Sequence, residues 1–146
     1  MRGLIQRVSQ AEVRIDGQRV GAISRGIVLL LAVEQGDSEE NLDKLLHKVL
    51  NYRIFADPAG RMNLSLLDIG GGLLTISQFT LAADTRKGLR PGFSAAVAPV
   101  EAERLYNMFV EKVQACGGIQ AASGRFAADM QVSLTNDGPV TFLLKT

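Results

Sequence analysis

The sequence predicts an α+β fold: a single domain over residues 1–146, in which a mostly antiparallel, strongly curved sheet carries two helices on one side. Three observations predict it. Hydrophobic residues make up 47% of the chain and charged residues 21%, the balance of a globular domain with a core to bury. Segments with strand alternation or strand residue types outnumber helical ones by about three to one. No composition break, linker or internal repeat divides the chain, so these segments share one core.

Taken in order, Met1-Arg2-Gly3-Leu4-Ile5-Gln6-Arg7-Val8 alternates as a strand does. Residues 13–15 and 18–23 flank Asp16-Gly17, whose tolerance of positive φ suits a two-residue hairpin turn. Residues 27–33 are a continuous apolar run with Gly26 before it and Gly36 soon after, which predicts a strand buried on both faces in the middle of the sheet. These first three strands are expected to be antiparallel neighbours. Asp37 then precedes Glu40 by three residues, close to a capping box, and Leu42, Leu45, Leu46, Val49 and Leu50 recur at helical spacing, so a helix starts near Ser38. His47 projects away from that leucine stripe and is expected to be exposed and catalytically silent.

A turn at Asp57-Pro58-Ala59-Gly60 and a flexible turn at Gly70-Gly71-Gly72 precede Leu73-Leu74-Thr75-Ile76-Ser77-Gln78-Phe79, a strand by residue type. The triple glycine lacks the Lys-Ser/Thr ending and following helix of a phosphate loop. Pro99 suits a helix first turn, and Ala102, Leu105, Phe109, Val113 and Cys116 trace one face until Gly117-Gly118, predicting a second helix over Pro99–Ala115. Residues 130–134 alternate again, Asn136-Asp137-Gly138-Pro139 turns, and residues 140–144 return, which reads as a closing hairpin.

Several classes are set aside. No apolar run approaches the roughly 18 residues of a membrane span, and the first residues lack the pattern of a signal peptide, so a cytoplasmic address is expected with no membrane partner. One cysteine, Cys116, excludes an internal disulfide, and one histidine excludes the usual zinc clusters, so neither metal nor cofactor is expected. Net charge is +1, so bulk electrostatics does not grip nucleic acid; DNA is not expected as a partner, and any RNA contact must be local. The local candidate is Arg86-Lys87-Gly88-Leu89-Arg90-Pro91-Gly92, three cations in a loop.

Four segments carry a resemblance: Met1-Arg2-Gly3-Leu4-Ile5-Gln6-Arg7-Val8, Ser77-Gln78-Phe79-Thr80-Leu81, Arg125-Phe126-Ala127-Ala128-Asp129-Met130 and Asn136-Asp137-Gly138-Pro139-Val140-Thr141. Together they resemble the D-aminoacyl-tRNA deacylase family, editing enzymes that hydrolyse the ester joining a D-amino acid to tRNA, and the likeness runs the length of the chain. The resemblance implies a barrel-like sheet in a homodimer, with aminoacyl-tRNA as the other partner. It implies that Ser77, Gln78, Phe79 and Thr80 form the catalytic floor, Phe79 and Thr80 giving backbone amides. It also implies that Gly138 and Pro139 form a Gly-cis-Pro filter reaching into the partner's pocket, with Arg7 holding that element and Met130 lining the pocket. Read from the residues alone, base rates favour a trans bond in a surface turn for Gly138-Pro139.

The residues set limits on mechanism. No histidine, metal cluster or activated cysteine accompanies the site, so the substrate must already be reactive, as an aminoacyl ester with a vicinal ribose hydroxyl is. Positioning and oxyanion stabilisation then carry the reaction, and the Thr80 hydroxyl has no base to activate it. Exclusion of an L-side chain by rigid main-chain atoms would leave glycyl-tRNA a substrate. Two other readings stay open: a non-catalytic RNA-binding or assembly domain using the 86–90 loop, and a small-molecule esterase.

Overall fold

The computed structural model describes residues 1–93 and 97–146. Its spine is β1, Arg2–Ile15, a strand of 14 residues. The far edge of β1 is lined along nearly its whole length by β8, Gln131–Lys145, running antiparallel from Arg2↔Lys145 to Arg14↔Gln131. The near edge is divided. Residues 2–8 pair β3, Gly26–Ala32, and residues 11–15 pair β2, Gln18–Ile23, both antiparallel. The first three strands are thus antiparallel neighbours through β1, with Asp16 at φ 51 and Gly17 at φ 75 forming the turn between β1 and β2.

The apolar strand β3 lies between β1 and β6, Gly72–Ser77, and is buried nearly throughout. Here the sheet departs from the antiparallel rule: β3 pairs β6 in parallel, and β6 pairs β7, Gln120–Ser123, in parallel. Both parallel pairs follow crossovers that contain helices, as parallel neighbours require. The first crossover carries α1, Glu39–Asn51, a short hairpin of β4, Phe55–Ala56, and β5, Met62–Leu64, and the one-turn α2, Leu66–Ile69. The second carries α3, Pro99–Ala115. The sheet is therefore mixed, and the described residues form three α-helices where two were expected, the added one being the single turn α2. It curls until β2 meets β7, where Gln120 Nε2 donates to Ala22 O at 3.3 Å, so the barrel is nearly closed.

Alternation along the strands sorts two cores. From β3, Ile27, Leu29 and Leu31 join Leu42, Leu45 and Phe109 of the long helices, while Val28 faces inward with Val8, Val13, Leu74 and Ile76. Helix α1 starts where expected, but its cap is Ser38 with Asn41, whose Oδ1 accepts from Ser38 N at 3.0 Å and Ser38 Oγ at 2.9 Å, rather than Asp37 with Glu40. His47 is exposed on its outer face. Helix α3 has the expected bounds, with Pro99 in its first turn. The glycine run is not a flexible turn. Gly70, at φ 56, caps α2, and Gly72 opens β6 so close to Gly26 that a Cβ there would lie 1.9 Å from Gly72 O. No helix of the described residues is long and apolar enough to cross a membrane.

The closing hairpin is not formed. Both halves of residues 130–144 pair the same strand in the same direction, so Asn136-Asp137-Gly138-Pro139 interrupts one long strand: Val8 faces Asn136 and Gln6 faces Thr141, and the residues between them leave the ladder.

Candidate active site

The site grows from the end of β6. Ser77 is its last residue, level with Leu31, and Gln78 N donates to Leu31 O at 2.7 Å as the chain leaves the ladder. A single 3-10 turn, Phe79–Ala82, follows. Its first closing bond runs from Leu81 N to Gln78 O at 3.2 Å, so the N–H groups of Phe79 and Thr80 precede it and stand at the open end of the turn. The other end is gripped from β1: Arg2 Nη1 donates to Leu81 O at 3.0 Å while Arg2 Nη2 pairs Glu34 at 2.7 Å.

Beside this turn lies a cavity of about 650 Å³. Ser77, Gln78 and Phe79 form one wall, Tyr106 of α3 a second, and the 126–130 segment with Met130 a third. Phe79 is 61% exposed and its ring lies 5.2 Å from Phe93, which also lines the cavity. The lining is mostly apolar, and its one ionisable group among the described residues is the Tyr106 phenol. Burial pushes that phenol from its ordinary 10.0 up to about 12. Tyr106 Oη lies 3.0 Å from Thr75 O and 3.3 Å from Gly124 O, so a single hydroxyl ties β6 to the start of the segment that carries Met130. Gly124 permits close packing there, since a Cβ would fall 2.4 Å from Met130 Sδ.

Thr80 carries a hydroxyl at the turn, where Oγ1 accepts from Gln78 Nε2 at 2.6 Å. No three His, Cys, Asp or Glu side chains cluster as metal ligands among the described residues.

Gly138, Pro139 and Arg7 do not line this cavity. Gly138 and Pro139 lie exposed on the excursion of β8, and their peptide bond is cis. Two side chains build the excursion. Asn136 Oδ1 accepts from Val140 N at 3.0 Å, and its amide donates to Thr141 Oγ1 at 2.9 Å. Arg7 donates from Nε to Asp137 O at 3.0 Å and from Nη1 to Ile54 O at 2.7 Å, with Asp137 Oδ2 3.2 Å from Nε. The structure thus gathers Ser77, Gln78, Phe79 and Met130 around the cavity, with Thr80 beside them on the turn but not in the lining, and Arg7, Gly138 and Pro139 in another region. Phe93 and Tyr106 stand in none of the site segments singled out from the sequence, and Arg2 and Phe126 stand in two of them without an assigned role; their places arise only from contacts across the fold.

The sequence profile of the family described as D-Tyr-tRNA(Tyr) deacylase matches residues 4–145. The chain is similar to the D-aminoacyl-tRNA deacylase of Aeromonas hydrophila, 61% identical over 145 residues that cover 99% of both chains. It is also similar to the protein of that name from Pseudomonas fluorescens strain Pf0-1, 56% identical over 146 residues and 100% of both. Among solved structures, the c-Myc DNA unwinding element binding protein superposes with a TM-score of 0.94 at 37% identity, covering 100% of this chain and 99% of that one. A probable eukaryotic D-amino acid tRNA deacylase superposes with a TM-score of 0.82 at 20% identity over 99% of this chain and 98% of its own, a likeness of fold.

Proposed function

We infer the reaction from one premise: the chain belongs to the D-Tyr-tRNA(Tyr) deacylase family. It is a D-aminoacyl-tRNA deacylase, a hydrolase acting on the aminoacyl-tRNA ester. The observation that carries the mechanism is an apolar cavity with no general base among the described residues that line it, bordered by the open end of a 3-10 turn.

In this reading the D-aminoacyl group enters the cavity of about 650 Å³, a size ordinary for small-ligand sites. The ester carbonyl faces the N–H groups of Phe79 and Thr80, which stabilise the oxyanion as water adds; one aimed donor is worth about 3–4 kcal/mol. Collapse breaks the bond to the ribose oxygen, releasing amino acid and tRNA. With no base among the described residues of the lining, the vicinal ribose hydroxyl orients and activates the water. Ser77 and Gln78 shape the floor, and Met130 packs against the bound substrate.

The chiral filter is assigned to Gly138 and Pro139, inserted into the cavity of a second copy in a homodimer and held by Arg7. The assignment is supported by their exposure, by their absence from their own chain's cavity, and by the two bonds that fix Arg7 against Asp137 and Ile54. Main-chain atoms so placed reject one direction at the α-carbon without gripping the other. Deacylation of D-aminoacyl-, glycyl- and L-aminoacyl-tRNA at equal enzyme tests this. The first two are expected to react and the L-ester to survive; glycyl-tRNA as resistant as the L-ester would replace exclusion by side-chain recognition.

A further inference from the structure

We propose that the hairpin between Asp84 and Gly92 docks the phosphate backbone of the unpaired end of the tRNA, with Lys87 and Arg90 as its phosphate-binding cations. The proposal rests on the deacylase reading and adds the surface that holds the nucleic acid. The base of this loop is closed by two main-chain bonds, Asp84 N to Gly92 O at 2.8 Å and Gly92 N to Asp84 O at 2.9 Å. Arg86 is used internally: Nε and Nη2 donate to the Asp84 carboxylate at 2.9 and 2.7 Å. Lys87 and Arg90 are exposed and make no ion pair or side-chain hydrogen bond among the described residues. Elsewhere Arg14, Arg61, Arg104 and Lys112 each face a carboxylate, while Arg125 and Lys145 are exposed and, like the loop pair, make no ion pair among the described residues. Between Lys87 and Arg90, Leu89 is 104% exposed.

Placement gives these charges a role. The loop leaves directly from the 3-10 turn through Ala83, and the residue after its closing bridge, Phe93, stacks on Phe79 at the cavity. The cations therefore hang from the rim through which a tRNA end must pass to put its ester inside. Three residues out from the loop's base reach about 10 Å at 3.3–3.6 Å per residue, so the two cations can stand clear of the rim on the path of an entering strand. Net charge is only +1, so attraction of a polyanion must be local. Contacts to phosphate position a strand without reading its sequence, which suits a site that reads an amino acid.

The test compares wild type, the double variant Lys87→Ala/Arg90→Ala and the charge-retaining Lys87→Arg/Arg90→Lys on three readouts. These are binding of uncharged tRNA against salt, kcat and KM on D-aminoacyl-tRNA, and turnover of a D-aminoacyl-adenosine ester. The alanine pair is expected to raise Kd and KM for tRNA about tenfold and to flatten the salt dependence by about 25-fold per tenfold change in salt, two contacts at a slope of about 0.7 each. Turnover of the adenosine ester stays at the wild-type value, and the charge-retaining pair matches wild type. An unchanged Kd and salt slope overturns the docking role, as does an equal loss on the adenosine ester. Because binding is read apart from turnover, neither result touches the deacylase reading, which fails only if wild type leaves D-esters intact.

Discussion

Among the described residues the partner of the Thr80 hydroxyl is a donor, the Gln78 amide 2.6 Å away, and no histidine or carboxylate of theirs lines the neighbouring cavity to take its proton. A threonine in that setting is a poor nucleophile. Thr80→Ala is therefore expected to keep its single-turnover rate within about tenfold; a trapped aminoacyl ester on Thr80, or complete loss in a folded variant, would make it the nucleophile. Arg2 acts through main chain instead. Its bond to Leu81 O fixes the far end of the turn whose near end presents Phe79 and Thr80 N–H. Arg2→Ala is expected to lower kcat on a D-ester by about 10–100-fold with KM nearly constant, because misaimed amides lose transition-state contact rather than ground-state binding. A rise in KM alone would assign Arg2 to binding. The contrast between these residues marks what sequence reveals at this scale. Ser77, Gln78, Phe79 and Thr80 form one contiguous peptide, so a site proposed there can be named from sequence, whereas Arg2 meets its partner across 79 residues, a separation that leaves no spacing signal.

Elements were legible where their own residues decide them. The bounds of α3 follow from Pro99, the spacing of Leu105, Phe109 and Val113, and the glycines beyond, all within one segment. The last strand was misread because Asn-Asp-Gly-Pro carries every local mark of a reversal. Its partner lies at the other end of the chain: β1 captures residues 131–136 and 141–145 in one direction and forces the turn-forming residues outward as an excursion. The parallel pairings were missed for the same reason, since a helix between two strands permits either direction until the sheet order is known. Energetics at this scale separates core from loop. Phe109 is fully buried between α3 and the sheet, and Phe109→Ala is expected to cost about 3–5 kcal/mol, lowering Tm by roughly 10 °C for a chain of this size. Leu89→Ala, at the exposed loop tip, is expected to stay within about 0.5 kcal/mol. Calorimetry of the two variants checks both, and a similar loss in each would mean that the loop packs as core does.

The whole molecule brings together two opposite kinds of titration. Glu12, Glu40, Asp57, Asp68, Asp84 and Glu101 are all held below their ordinary values, chiefly by hydrogen bonds, those of Arg14, Lys44, the Arg61 N–H, the Ser65 N–H, Arg86 and Arg104 respectively. A folded pKa below the unfolded one means that stability is present above the ordinary carboxylate values of 3.8 and 4.5 and is lost as pH falls through the depressed ones. All of these groups but Asp57, whose side chain is 7% exposed, are open to solvent, where salt screens them, so the acid decline is gradual. Tyr106 works the other way. Its folded value, about 12 against 10.0, favours the neutral phenol, so its contribution is complete below 10 and disappears as pH rises toward 12. The cause is architectural: α3 buries the ring between β6 and the 124–130 segment, where ionisation would strand a charge beside the Thr75 and Gly124 carbonyls. Tm is therefore expected to be nearly flat from about pH 5 to 9, to decline slowly below about 4, and to fall above 10. Tyr106→Phe removes the alkaline group and leaves the acid side alone. That variant is expected to lose about 1 kcal/mol at neutral pH for the missing hydrogen bond and to show a shallower alkaline fall, while its acid decline overlays wild type. If the alkaline fall is as steep in Tyr106→Phe as in wild type, the buried phenol is not what limits the fold at high pH, and the tie between β6 and the Met130 segment must be held by packing instead.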